Sequence, residues 1–285
     1  MKLIIGPFGG EFGWELCYWQ AHIRWLKERY PTGIDFLPVT FTGRQAFYRD
    51  FVEEIVFHSD VVLDRFGRLD CYNSQGITRR EYFTYAGALV DRYEAYGAIT
   101  TPNHNGRFYI PSDKMAFKKF HPMHTLKSLI NLPPVKKKSV MIFPRYRGDS
   151  RDWAEPNWVE LVYQLGKAGY EVVIGGVKSA SCLIDYEGEG VINLMQIFKG
   201  DPFYSLDLVL YYLTKVRAAL GSQSALPILS MHQEVPTLMW GHEKERHEKE
   251  LNYFGTPCRF IEDPEYKVSV EQVMEEFQTF EKGTR

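Results

Sequence analysis

The stretch from Ser139 to Val177 constrains the fold more than any other. Val140-Met-Ile-Phe143 is a short apolar run with the pattern of a buried strand. From Asn157 to Leu165 the apolar residues recur at helical spacing, and Gly169 follows as a stop. Tyr170-Glu-Val-Val-Ile174 then reads as a second buried strand, closed by Gly175-Gly176. Strand, loop, helix and strand make a βαβ unit, which requires a parallel sheet. The loop at the carboxyl end of its first strand is Pro144-Arg-Tyr-Arg-Gly-Asp-Ser-Arg-Asp-Trp153. Open α/β sheets hold ligands at that end. Arg145, Arg147 and Arg151 put three guanidinium forks there, and Gly148 allows close backbone approach. That combination suits a phosphate or diphosphate.

The rest of the chain repeats the theme. Leu3-Ile4-Ile5 is a strand, Gly6-Pro-Phe-Gly-Gly-Glu-Phe-Gly13 a Gly-rich loop, and Trp14 to Tyr30 a helix with Leu16, Trp19, Ile23, Leu26 and Tyr30 near one face. The glycines are not spaced as GxGxxG, so no dinucleotide fingerprint is present. Glu11 lies in the loop and is the better general-base candidate. Glu15 is a second candidate, equally well explained as a first-turn carboxylate favoured by the helix dipole. Ile34 to Phe41 is a strand, Arg49 to Phe57 a helix, and Asp60 to Asp64 a short strand. Tyr82, Tyr85, Tyr93 and Tyr96 read as the packing face of a helix. Arg79-Arg80 reads as a solvated pair, and His104 as a weak site candidate in a turn.

Pro111, Pro122, Pro133-Pro134 and Lys136-Lys-Lys138 mark a boundary between about residues 112 and 138. This gives a first domain over 1–125, a linker over 126–138 and a second domain over 139–285. In the second half Gly190 to Leu194, Ala218 to Leu220 and Pro236 to Trp240 read as strands. Asp207 to Leu213, Leu226 to His232 and Ser269 to Phe280 read as helices, the last with Ser269 and Gln272 placed for a capping box. Ser222, Gln223 and Ser224 follow one strand and precede a helix. With their backbone N–H groups they can form a phosphate nest, or the serines can simply cap the helix.

Composition narrows the class of partner. Of 285 residues 45% are hydrophobic and the formal net charge is −2, so a core forms and no basic surface invites nucleic acid. Cys17, Cys71, Cys182 and Cys258 lack metal-site spacing and read as free thiols of a reducing compartment. Asp149 and Asp152 are not spaced as an Asp-x-Asp metal motif. The start Met1-Lys-Leu-Ile-Ile-Gly6 does not read as a signal peptide, and no stretch approaches transmembrane length. A cytoplasmic protein is expected, with peripheral membrane contact left open.

The run Ile142-Phe-Pro-Arg-Tyr-Arg-Gly-Asp149 with Arg151-Asp-Trp153 and Trp158 resembles the first strand and loop of donor domains in GT-B glycosyltransferases. Leu220-Gly-Ser-Gln-Ser-Ala-Leu-Pro-Ile-Leu-Ser230 followed by Val235-Pro-Thr-Leu238 is similar to a pattern of heptosyltransferase-like enzymes, and Arg145-x-Arg147-Gly-Asp149 to the arginine motif of fucosyltransferases of that fold. The likeness covers most of 139–241 and about the first thirty residues. It implies two Rossmann-like domains facing across a cleft that closes over substrate. It implies a metal-independent transferase with no cofactor, using a nucleotide sugar as donor and a hydroxyl acceptor, a glycan or glycolipid. Arg145, Arg147 and Arg151 would neutralise the leaving diphosphate; one well-placed donor contributes roughly 3 or 4 kcal/mol. Ser222, Gln223 and Ser224 would hold phosphates, Gly175 and Gly176 would clear space for the nucleoside, and Glu11 or Glu15 would take the acceptor proton. The alternatives are a polysaccharide pyruvyltransferase-like enzyme and a non-catalytic phosphate-binding protein.

Overall fold

The computed structural model describes residues 1–30, 32–58, 79–100, 110–129, 131–197 and 202–283. The expected strand at 60–64, His104 and Cys71 lie outside them. The chain divides into two compact units, Met1–Lys118 and Lys119–Arg285.

In the first unit four parallel strands, β1 (Lys2–Ile5), β2 (Asp35–Thr40), β3 (Val56–Phe57) and β4 (Gly97–Ile99), lie in the order β3-β2-β1-β4. The predicted helix over 49–57 is not formed. Val56 pairs with Val39 instead, and the sheet's demand for a partner strand overrides local helical periodicity. Helical structure starts at Phe12, passes through a π turn over Glu15–Trp19 and continues as α1 (Gln20–Arg29). A π turn inserts extra residues per turn and rotates everything after it. Leu16, Trp19 and Ile23 are buried as expected, but Tyr30 is turned out to 51% exposure. Arg24 takes an inward position on α1, bidentate to Asp50 at 2.5 and 2.7 Å and bonded to the Phe47 carbonyl. Tyr82 and Tyr85 of α2 (Arg79–Arg92) pack with Ile4, Leu37 and Val39, whereas Tyr96 stands 81% exposed.

The second unit holds six parallel strands: β5 (Ser139–Phe143), β6 (Glu171–Ile174), β7 (Val191–Asn193), β8 (Ala218–Ser222), β9 (Thr237–Gly241) and β10 (Cys258–Glu262). Their order is β10-β9-β8-β5-β6-β7. Winding runs outward in both directions from β5, the order of dinucleotide-binding sheets, so the topological switch lies between β5 and β8. The four inner strands, β9, β8, β5 and β6, are buried throughout, which is why they read as largely apolar runs. The helices are α3 (Glu155–Lys167), α4 (Ser205–Leu213), α5 (Ala225–His232) and α6 (Val270–Gly283). Trp153, Trp158 and Trp240 form one buried cluster, with ring centroids 4.9 to 5.3 Å apart. Gln272 N–H donates to Ser269 Oγ at 3.2 Å, the expected cap of α6.

The segment after Lys118 is fastened to the second unit. Phe120 and Leu126 are buried, and Met123 N–H donates to Asp207 at 2.8 Å. Lys138 bonds the Ala168 carbonyl at the end of α3 and lies 4.2 Å from the Tyr170 ring. Of the lysine run, this one is an interior helix cap.

Candidate functional site

Phe143 at the end of β5 stands opposite Gly221 in β8. The loop that leaves β5 and the turn that leaves β8 therefore start from neighbouring strand ends. A Cβ on Gly221 would meet Pro227 Cγ at 2.6 Å, so only glycine lets the strand run this close to α5.

The arginine loop is an ion-pair knot. Arg145, 6% exposed, donates to Asp149 at 2.9 and 2.5 Å and to Asp152. Asp152 also accepts the Arg147 and Asp149 N–H groups at 2.9 and 3.0 Å, and Asp149 accepts the Arg151 N–H at 2.9 Å. Tyr146 N–H bonds the Ala180 carbonyl, which ties the loop to the segment after β6. Gly148 sits at φ +70, where the loop reverses. Burial pushes the Asp149 carboxyl up. The Arg145 hydrogen bond, the Arg151 N–H and both guanidinium charges outweigh it and hold the group at about 2. Arg145, expected at a diphosphate, is engaged within its own loop. Its fork is committed to two carboxylates and shapes the loop, whereas Arg147 is half-buried and Arg151 is 38% exposed, 3.8 Å from Asp149.

The turn after β8 also divides its labour. Ser222 Oγ is buried with no hydrogen-bond partner among the described residues. Ser224 precedes α5 in extended conformation, and its side chain makes no capping bond, so the simple capping reading is not realised. Gln223 braces the turn. Its Oε1 accepts the His242 N–H at 2.9 Å and the Tyr266 hydroxyl at 3.0 Å, and its Nε2 donates to Glu243 at 3.0 Å. Around this one amide the backbone is left-handed three times, at Gly241 (φ +146), Glu243 (φ +63) and Tyr266 (φ +54). Such strain persists only where the surroundings over-determine it. Burial raises the Tyr266 phenol to about 12 against the opposing charges of Arg151 and Arg145. Gly241-His242-Glu243 is legible in the sequence as a strand end that presents small and polar groups beside the arginine loop, whereas Tyr266 carries no such local signal.

Gly175 and Gly176, expected to clear space for a nucleoside, are closely approached by neighbouring side chains. A Cβ on Gly175 would meet the Phe143 ring at 2.8 Å and one on Gly176 the Ser181 hydroxyl at 2.2 Å. Their small size serves internal packing.

In the first unit the Gly-rich loop leaves β1 at the switch between β1 and β4. Glu11 is half-buried and occupies the position before the helix, its carbonyl accepting the Trp14 and Glu15 N–H groups at 3.0 and 3.2 Å. Glu15, the other base candidate, is engaged by three side chains. It is fully buried and accepts from Thr40 at 2.6 Å, from Tyr48 at 2.5 Å and from Arg44. Burial first, and then the Glu15 charge, raise the Tyr48 phenol well above its ordinary value. Arg80 is exposed. Burial raises the Cys182 and Cys258 thiols to about 12. Among the described residues no group of His, Cys, Asp and Glu is arranged to hold a metal ion, and no helix is long and apolar enough to cross a membrane.

Two units of parallel sheet and helix, with loops at the carboxyl strand ends, define an α/β fold of the kind used by GT-B glycosyltransferases. Solved structures share it over nearly the whole chain. The glycosyl transferase family 9 protein of Veillonella parvula aligns with a TM-score of 0.66 and 10% identity, covering 99% of this chain and 97% of that one. E. coli ADP-heptose LPS heptosyltransferase II aligns with a TM-score of 0.64 and 12% identity over 99% of each chain. E. coli heptosyltransferase WaaC with ADP gives 0.55 and 13% over 98% and 100%. No family model and no curated protein matches the sequence.

Proposed function

We propose that the protein is a glycosyltransferase that moves a sugar from a nucleotide-activated donor to a hydroxyl acceptor. The observation that carries this is the pairing of β5 with β8, which brings the arginine loop and the Ser222–Ser224 turn to the sheet's switch point. Ligands of such sheets bind there. The likeness to heptosyltransferase structures supports the same reading, since those named above use or contain ADP-linked ligands.

The donor diphosphate is held by Arg147 and Arg151, by the Ser222 hydroxyl and by the N–H groups that open α5. Arg145 keeps the loop in shape through Asp149 and Asp152. As the sugar–phosphate bond breaks, negative charge grows on the outgoing diphosphate, and fixed guanidinium groups stabilise it more than they stabilise the ground state. No metal is required for that role. In the first unit Glu11 takes the acceptor proton as the new glycosidic bond forms. The acceptor is a glycan or glycolipid hydroxyl.

The test is donor turnover on a panel of ADP-, UDP-, GDP- and CDP-activated sugars with EDTA present, following released nucleoside diphosphate. Turnover that vanishes in Glu11→Gln and binding that weakens in Arg147→Ala support the assignment. Strict metal dependence, or binding of phosphoenolpyruvate in place of nucleotides, overturns it.

A further inference from the structure

The loop that carries Glu11 is held by its carbonyl oxygens, and the groups that hold it come from distant parts of the first unit. The Tyr82 hydroxyl donates to Pro7 O at 2.7 Å, His58 Nε2 lies 2.8 Å from Phe8 O, and an Arg44 amino group reaches Gly10 O at 3.4 Å. The three side chains are 0%, 1% and 3% exposed. Main-chain bonds add Gly6 N–H to Ile99 O at 2.8 Å and Phe8 N–H to Val39 O at 2.9 Å.

Each tether is itself braced. A carbonyl can only accept, so His58 carries its proton on Nε2, and its Nδ1 accepts from the Tyr85 hydroxyl at 3.2 Å. Arg44 is gripped by the buried Glu15 carboxylate, and its guanidinium lies 4.6 Å from the Phe41 ring and 5.6 Å from the Phe12 ring. Burying this many polar groups is costly, and apolar side chains of like volume would secure the loop's inner face at least as well. What polar tethers add is direction. A peptide unit is planar and trans, so fixing a carbonyl fixes the N–H that follows it. The Gly10 carbonyl belongs to the same peptide unit as the Glu11 nitrogen. Arg44 therefore sets where Glu11 begins, and the helical turn starting at Phe12 holds it from the other side.

We infer that Tyr82, His58 and Arg44 are positioning residues that aim Glu11 by capturing the carbonyls of Pro7, Phe8 and Gly10. The inference rests on the reading of Glu11 as the base. It also explains why Glu15 is a buried carboxylate: it is the counter-charge that keeps Arg44 in place.

The experiment compares wild type with Tyr82→Phe, Arg44→Lys, Arg44→Met and Glu11→Gln. Turnover of the nucleotide-sugar panel and amide hydrogen exchange over residues 8–12 are read in the full chain. Tyr82→Phe deletes one hydroxyl and keeps the ring in the core. It should lower kcat on the order of 10-fold with the donor KM unchanged, and speed exchange in the loop, since small misplacement of a catalytic group is expensive. Arg44→Lys should retain more kcat than Arg44→Met at equal folded fraction. Unchanged kcat in Tyr82→Phe, with Glu11→Gln inactive, overturns the positioning role alone. Full turnover in Glu11→Gln overturns the base assignment, and the inference with it. Unaltered loop exchange in Tyr82→Phe overturns the tether whatever the turnover.

Discussion

Arg145 and Asp152 form an ion pair across seven residues of one loop, with side chains 6% and 9% exposed. Asp152 simultaneously receives the N–H groups of Arg147 and Asp149. Arg145 is therefore the frame of the loop, and Arg147 and Arg151 are the less buried arginines of the three.

Replacing these residues should separate the two roles. Arg147→Ala or Arg151→Ala should weaken nucleoside diphosphate binding by about 1.5–3 kcal/mol, the loss of a charged hydrogen bond, with little change in melting temperature. Arg145→Ala should lower the melting temperature, because Asp149 and Asp152 lose their shared partner. Calorimetric titration with ADP and UDP beside thermal unfolding reads both effects.

Ser222→Ala offers a cleaner probe. The hydroxyl is buried without a partner among the described residues. Removing an unsatisfied buried group should leave stability unchanged or raise it, by up to about 1–3 kcal/mol. Diphosphate affinity should nevertheless fall. A loss of stability together with unaltered affinity would show that Ser222 belongs to the core alone.

The two glutamates should behave as opposites. Glu11→Gln should cut turnover by about 10²–10⁴ with the fold intact, the range for a lost general base. Glu15→Gln leaves Arg44 as a buried cation without its counter-charge and should destabilise the first unit by about 3–5 kcal/mol. Urea unfolding and single-turnover rates on both variants test this.

Acid should unsettle each unit chiefly through its most deeply buried histidine, with His22 and His247, also lowered mainly by burial, adding in the same direction. Burial is the main cause that lowers His58 and His232 from the ordinary 6.5 to about 4. The unfolded chain takes up these protons first, so the stability each contributes is complete above pH 6.5. It is lost as pH falls from 6.5 towards 4. At 1.36 kcal/mol per unit each histidine accounts for on the order of 3 kcal/mol across that window. His58→Gln should flatten the profile of the first unit and His232→Gln that of the second. Asp149 acts lower, between about pH 4 and 2, and only weakly because it is largely exposed.

The second unit's first βαβ stretch was legible because its strands are buried on both faces and its helix on one. That burial writes apolar runs and a 3.6-residue period directly into residues 140–174. Ser269 announced the last helix through a local cap. The π turn at Glu15–Trp19 was not legible, since a sequence carries no mark of an inserted residue until the turn must fit its neighbours.

The sequence alone determined which strand ends carry arginine, serine and glutamate, because strand, loop and helix are set by local pattern. Tertiary structure decided which of those groups remain available. Arg145, Gln223 and Glu15 are each engaged by partners that sit 4 to 43 residues away, and Gly175 packs against Phe143. Hydrogen-bond pairing in a core depends on three-dimensional neighbours, so no spacing rule along the chain can reveal it.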